Sequence, residues 1–264
     1  MAICALTIAG SDSGGNAGIQ ADLRAFHAYG LHGCTVLTAL TAQNPNGVYA
    51  IHDVPADFAA AQLDAVLGTY SIGALKTGML SSPEAIELIA QRLSNRPHIA
   101  KVIDPVMIST SGSRLISDNA QKAMEKFLMP LATIITPNIP EAQAIAGRSI
   151  RCKKDVHDVA KRLFDRFGCA ILIKGGHAAG DLANAEDTLY DGSAFLSTTL
   201  PWIENPISTH GTGCTLAAAI AAGLARGDNI HSSVENAKRY VHKAIASSYL
   251  VGPECGVLGS AFDF

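Results

Sequence analysis

The sequence has no uninterrupted apolar run near the roughly 20 residues that a membrane helix needs, and its longest mild stretch, residues 215–225, is short and alanine-rich. Nor is there a surplus of positive charge. Its 264 residues hold 20 Lys and Arg against 23 Asp and Glu, a net charge of −3, without the concentrated basic face of a nucleic-acid binder. No CxxC pair occurs among the six scattered cysteines, which excludes a disulfide framework and leaves buried apolar thiols as the plain reading. The nine histidines form no HExxH or clustered ligand set, so a dedicated zinc site is not expected. The N-terminus lacks a basic segment followed by an apolar one and a cleavage site, so the expected location is cytoplasmic. No repeat, low-complexity tract or Pro/Gly/Ser-rich linker divides the chain, and one domain over residues 1–264 is expected. What remains is ample core material: 48% hydrophobic against 16% charged residues, incompatible with a disordered chain.

Short, nearly all-apolar runs recur at residues 5–9, 35–40, 73–76, 101–103, 133–136 and 170–174. Uniform rather than alternating apolarity is the mark of strands buried on both faces of a parallel sheet. Helical patterns lie between them. Leu63, Val66, Leu67 and Tyr70 line one helix face; Ile86, Ile89, Ala90 and Leu93 line another, behind Ser82 as cap and Pro83 as first residue. Strand–helix alternation predicts an α/β fold, a mainly parallel central sheet flanked by helices with right-handed crossovers. Residues 48–54, and 187–190 with 194–198, read as hairpin strands at the edges.

Open α/β sheets bind ligands beyond the carboxyl ends of their strands. Polar and glycine residues collect after almost every predicted strand: Gly10 to Gly15, Gln43-Asn44, Thr77-Gly78-Met79, Asp104-Pro105-Val106, Pro137-Asn138 and Gly175-Gly176-His177. His210-Gly211-Thr212-Gly213-Cys214-Thr215 precedes the alanine-rich helix; its glycines can turn backbone N–H groups toward an anion such as a phosphoryl group in transfer, or simply make a tight turn. No Lys-Ser or Lys-Thr follows, so it is not a Walker A loop. Cys214, in the first helical turn, is placed where a thiolate is favoured, as a nucleophile or base; a small side chain filling the junction is the alternative. Asn138 and Glu141 are spaced to hold hydrated Mg²⁺ and phosphates, or to form an ordinary capping box. Asp104 before Pro105 is a ligand-facing carboxylate or a turn former, and Lys174 reaches phosphate or is solvated. Gln43 offers an acceptor and two donors, the complement of an aminopyrimidine edge.

In order along the chain, GSDSGGNAGIQADL, LTALTAQN, KTGML, DPVM, SGSRL, ITPNIPEA, KGGH and THGTGCT, from about residue 5 to 249, closely resemble the hydroxymethylpyrimidine/phosphomethylpyrimidine kinases of the ribokinase-like superfamily. The resemblance implies a three-layer ribokinase-like fold. It implies transfer of the ATP γ-phosphate to 4-amino-5-hydroxymethyl-2-methylpyrimidine and then to its monophosphate, in thiamin biosynthesis. It further implies that Gln43 grips the pyrimidine, with Gly10, Ala17, Asp22, Met79 and Val106 lining the pocket. Gly211, Thr212, Gly213 and Cys214 form the anion hole, Cys214 standing where sugar kinases place an Asp base. By the same resemblance Lys174, Asn138 and Thr212 would lie along ATP, Asp104 and Glu141 near Mg²⁺, and the protein would be a homodimer binding small molecules, neither nucleic acid nor membrane. Three departures stand out: Asn16 interrupts a glycine run, Ser109-Thr110 replaces a small-residue and Lys pair, and the ending from Gly252 to Gly256 differs. A pyridoxal or pyridoxine kinase of the same branch and a non-catalytic vitamin-binding module are the rival readings.

Overall fold

The apolar runs become strands in the computed structural model, which describes residues 3–107, 115–175, 184–253 and 255–259. The first half contains β1 (Cys4–Asp12), α1 (Gly18–Ala28), β2 (His32–Asn44), β3 (Gly47–Asp53), α2 (Ala56–Leu67), β4 (Ile72–Thr77), α3 (Pro83–Ser94), β5 (Ala100–Ile103) and α4 (Asp118–Ala123). Then follow β6 (Ile134–Ile135), α5 (Ile139–Ala146), α6 (Lys153–Phe167), β7 (Ala170–Lys174), β8 (Asn184–Tyr190), β9 (Phe195–Pro201), α7 (Thr212–Ala225) and α8 (Ile230–Ala246). β10 (Tyr249–Gly252) and β11 (Cys255–Val257) pair separately.

Nine strands form one sheet in the order β3-β2-β1-β4-β5-β6-β7-β8-β9. Pairings from β2 to β7 are parallel; β3, β8 and β9 add antiparallel ribbons at the two edges, where the hairpin patterns were expected. Strand alternation splits the core in two. Leu6, Ile8, Leu75, Ile103, Ile135 and Ile171 point to the side covered by α2 to α6. Ala5, Ala74, Val102, Ile134 and Leu172 point to the side of α1, α7 and α8. Small residues on this second face let α7, largely alanine and almost wholly buried, lie close against the strands.

Four local differences from the sequence reading have physical causes. Gly68 ends α2, so Tyr70 leaves the helix face and stacks on His32 with centroids 5.6 Å apart. β6 is shorter than its apolar pattern, whereas β2 continues to Asn44 because β3 pairs with its end. Cys4, Cys34 and Cys169 are buried thiols, but Cys152 is exposed at the start of α6, with Cys214 and Cys255 partly exposed. Gly176-His177, Ser109-Thr110, most of SGSRL, Glu254 and the last five residues lie outside the described residues.

Leu75 is fully buried in the α2–α6 layer, so Leu75→Ala should lower unfolding free energy by about 2–5 kcal/mol. Urea denaturation reads this directly; an unchanged midpoint would contradict the packing.

Candidate active site

Along the α7 face, the residue two positions beyond each apolar one is polar: Thr7 after Ala5, Lys76 after Ala74, Asp104 after Val102, Thr136 after Ile134, Lys174 after Leu172. Alternation therefore puts all five side chains on one face of the sheet, in a polar ledge at the strands' carboxyl ends. Opposite charges alternate along it. Lys174 Nζ donates to Asp104 Oδ1 at 2.8 Å, and Thr136 Oγ1 donates to the same oxygen at 3.2 Å. Lys76 Nζ lies 2.9 Å from both oxygens of Asp22, which also accepts from Thr7 Oγ1 at 2.6 Å. Burial alone would discharge Lys174, but the Asp104 and Glu141 carboxylates hold its ammonium above the usual range.

The N-terminus of α7 begins on Gly211, in the left-handed region at φ 86°, with no side-chain cap. A side chain there would drive into the Asn16 carbonyl as well as strain the backbone, so only glycine fits. The helix dipole and the first-turn N–H groups of Gly213 and Cys214 make this end attractive to anions, while the Thr212 N–H donates to the Thr209 carbonyl at 3.4 Å. Lys174 Nζ lies 3.5 Å from the point where a side chain would leave Gly213, adding a positive charge beside it.

The loop after β1 ties this end to the sheet edge. Asp12 accepts from the N–H groups of Gly14, Asn16 and Ala17 at 2.8–2.9 Å, supplying the cap that Ala17 cannot give α1. Burial would raise Asp12, but His210 and those backbone donors outweigh it and hold the carboxyl below its ordinary value. His210 Nε2 is 3.9 Å from Asp12 Oδ2, linking the loop to the start of α7. Asn16, the departure in the glycine run, is buried with its carbonyl against Gly211. Ser13 Oγ exchanges 2.8 Å hydrogen bonds with the Gln43 backbone, both accepting from its N–H and donating to its carbonyl. Gln43 Oε1 accepts from Thr41 Oγ1 at 3.1 Å, which orients the amide. Met79 packs its sulfur 3.6 Å from where a side chain would leave Gly10, and its carbonyl accepts from Thr38 Oγ1. Val106 follows Asp104 in a turn, its N–H donating to the Asp104 carbonyl at 2.9 Å.

Two expected site residues differ from their sequence reading. Asp22 has no exposed surface, and its oxygens are engaged by Lys76 and Thr7. The Cys214 thiol is raised, not lowered: burial dominates, Lys76 opposes it, and Asp22 and Asp104 reinforce it, while the Gly18 N–H bonded to the sulfur favours the thiolate. The helix-terminus expectation considered the dipole but not this desolvation.

Asn138 and Glu141 form a full capping box: Asn138 Oδ1 accepts from the Glu141 N–H at 2.9 Å, and Glu141 Oε2 from the Asn138 N–H at 2.8 Å. Glu141 Oε1 lies 3.4 Å from the Met107 N–H. Burial, opposed by Lys174 and seconded by Asp104, pushes the Glu141 carboxyl up to about 7. Among the described residues no group of three His, Cys, Asp or Glu is arranged to hold a metal. Two carboxylates, Asp104 and Glu141, beside the α7 N-terminus suit a Mg²⁺ ion that would keep waters and phosphate oxygens as its main ligands. Lys76 and Asp12 carried no role in the sequence reading; Lys76 ends an apolar run, a signal shared with solvated lysines.

A family model described as phosphomethylpyrimidine kinase matches residues 12–259. The chain belongs to that family. It is 46% identical to the hydroxymethylpyrimidine/phosphomethylpyrimidine kinase of Synechococcus elongatus, over 97% of this chain and 96% of that protein. It is also 46% identical to the thiamine biosynthesis bifunctional protein ThiED of Geobacter sulfurreducens, over 94% of this chain, spanning half that protein's length. The Clostridium difficile phosphomethylpyrimidine kinase structure superposes with TM-score 0.81 at 42% identity, covering 92% of this chain and 99% of that one. The ADP complex of Bacillus subtilis pyridoxal kinase superposes with TM-score 0.88 at 34% identity, covering 98% and 97%. The fold of this kinase family member is thus ribokinase-like, as the motifs implied.

Gly211→Ala should cost about 1–3 kcal/mol in stability from the left-handed backbone alone, before the Asn16 collision is counted. Thermal denaturation measures it; a melting temperature equal to that of the unaltered chain would show that the α7 entrance is not constrained as described.

Proposed function

We propose that this chain is an ATP-dependent phosphotransferase acting on 4-amino-5-hydroxymethyl-2-methylpyrimidine and then on its monophosphate, in thiamin biosynthesis. The carrying observation is the loop over residues 12–17, which touches Gln43 through Ser13 and Gly211 through Asn16. A ring held by Gln43, among Gly10, Ala17, Met79 and Val106, thereby presents its hydroxymethyl group toward the Gly211–Cys214 amides. Family membership and the kinase relatives support the same assignment.

In this reading the first-turn N–H groups of α7 and Lys174 receive the charge that spreads over the γ-phosphoryl oxygens. The Asn138 side-chain NH₂ and the Thr212 hydroxyl have no hydrogen-bond partner among the described residues and would follow the nucleotide's phosphates. The hydroxymethyl oxygen bonds to phosphorus and its proton passes to Cys214 in the fraction of molecules that hold it as thiolate, the form its burial disfavours. The bond from phosphorus to the β-phosphate oxygen breaks, and ADP leaves. Mg²⁺ held near Asp104 and Glu141 would neutralise phosphate charge. No helix among the described residues is long and apolar enough to cross a membrane, in keeping with a cytoplasmic enzyme. Exposed Leu40, Tyr49, Ile51 and Phe58 on and beside the β2–β3 edge supply an apolar surface for a second copy in a homodimer.

Pyridoxal is the competing substrate, favoured by the close superposition on a pyridoxal kinase. Incubation with ATP, Mg²⁺ and hydroxymethylpyrimidine should yield monophosphate and then diphosphate; a higher kcat/KM for pyridoxal at equal concentration would reverse the assignment. Cys214→Ala should lower turnover by roughly two to four orders of magnitude, the range of a general base. Steady-state turnover equal to the unaltered enzyme would remove Cys214 from the chemistry.

A further inference from the structure

β8 places a second carboxylate next to Lys174. Asp187 is the register partner of Lys174 across the antiparallel β7–β8 pair, so the two side chains share the face that α7 covers, and Leu189 two positions on packs into that layer. Asp104 takes the Lys174 ammonium, and Asp187 turns to other partners. Its Oδ1 accepts from the Gly175 N–H at 3.0 Å, and its Oδ2 lies 2.8 Å from Lys238 Nζ of α8. Both side chains of this ion pair are close to fully buried. A buried pair is weak evidence for stability, because apolar groups of similar volume often serve as well. Its place in the chain says more.

Gly175 is the first residue past β7. A side chain on it would run into the Glu186 carbonyl, so the backbone there is pressed against β8. From the other flank, the Lys174 N–H donates to the Pro137 carbonyl at 2.9 Å, and Asn138 bridges to Lys174 in parallel. The end of β7 is thus held on both sides, by Pro137-Asn138 and by Asp187. Between these two holds stands Lys174, its Nζ bonded to Asp104 and 3.5 Å from where a side chain would leave Gly213 at the start of α7. A lysine stem is flexible, so the resting place of its ammonium depends on where its backbone is fixed.

We propose that Asp187, held in place by Lys238, is a positioning residue for the nucleotide's phosphates: it fixes the chain at Gly175 and so aims the Lys174 ammonium, without touching substrate itself. This rests on the reading of Lys174 as a phosphate-binding cation. The acceptor oxygen facing the Gly175 N–H is the working feature, and Lys238 balances the buried carboxylate that supplies it.

The test pairs calorimetric titration of the full chain with the β,γ-methylene analogue of ATP and Mg²⁺ with steady-state KM values for ATP and for the pyrimidine. Asp187→Ala should weaken analogue binding and raise KM for ATP by roughly tenfold, while KM for the pyrimidine stays nearly unchanged. If that variant leaves Lys238 unpaired and does not fold, Asp187→Leu with Lys238→Met removes both charges, keeps the volume and carries the same expectation. Asp187→Asn with Lys238→Met keeps an oxygen for the Gly175 N–H and should recover most of the analogue affinity, a difference that packing alone would not produce. Unchanged analogue affinity in a folded variant lacking that oxygen, KM values that rise together for both substrates, or equal affinities in the two double variants overturn the proposal. Lys174→Met separates it from the reading beneath it. Normal analogue binding there would refute the phosphate role of Lys174 and the proposal with it; weakened binding there, with normal binding in Asp187→Ala, would refute the role of Asp187 alone.

Discussion

The rest of the molecule is arranged around the cost of keeping charge under the entrance of α7. Asp22 of α1 pairs with Lys76 at the end of β4, and Asp104 beyond β5 pairs with Lys174 at the end of β7. Each ammonium stands by a carboxylate that keeps it ionised against desolvation. An anion arriving at the glycine turn meets a field prepared in advance, with little reorganisation left to the moment of reaction. Removing one member of either pair would strand its partner, which couples the stability of the centre to its chemistry.

Helix composition follows from the same constraint. For α7 to bring its first amides down onto that ledge, its body must lie almost flush with the sheet, and alanine on the helix meets alanine and valine on the strands. The opposite face has no such demand and is filled by Leu, Ile and Phe. The difference in side-chain size between the two layers is a consequence of what one of them has to present.

Much of this was legible in the residues. Apolar runs located the strands, Ser82-Pro83 located the start of α3, and the glycine and polar clusters do follow the carboxyl ends of the strands. Tyr70 misled because periodicity does not count Gly68 as a stop. Asn138 and Glu141 make their capping box as spacing allowed, and only the buried surroundings of Glu141 give that carboxylate a second meaning. Cys214 and Lys76 were opaque for one reason: what decides their protonation is burial and neighbours from distant strands, and neither leaves a local pattern. Asp12 is similar, since its three N–H partners follow it closely but its approach to His210 spans about three quarters of the chain.

Gln43 sits where β2 leaves the parallel sheet to pair with the antiparallel ribbon β3, while the anion-binding end is built from central strands and α7. With the roles proposed above for Gln43 and the α7 entrance, ring recognition and phosphate handling reside in separable parts, joined by the short loop after β1. Such a layout lets evolution, or an engineer, recut the outer ribbon to admit a different heterocycle without rebuilding the interior that moves the phosphate. A single ancestral scaffold could in this way diversify among vitamin precursors by editing its margin.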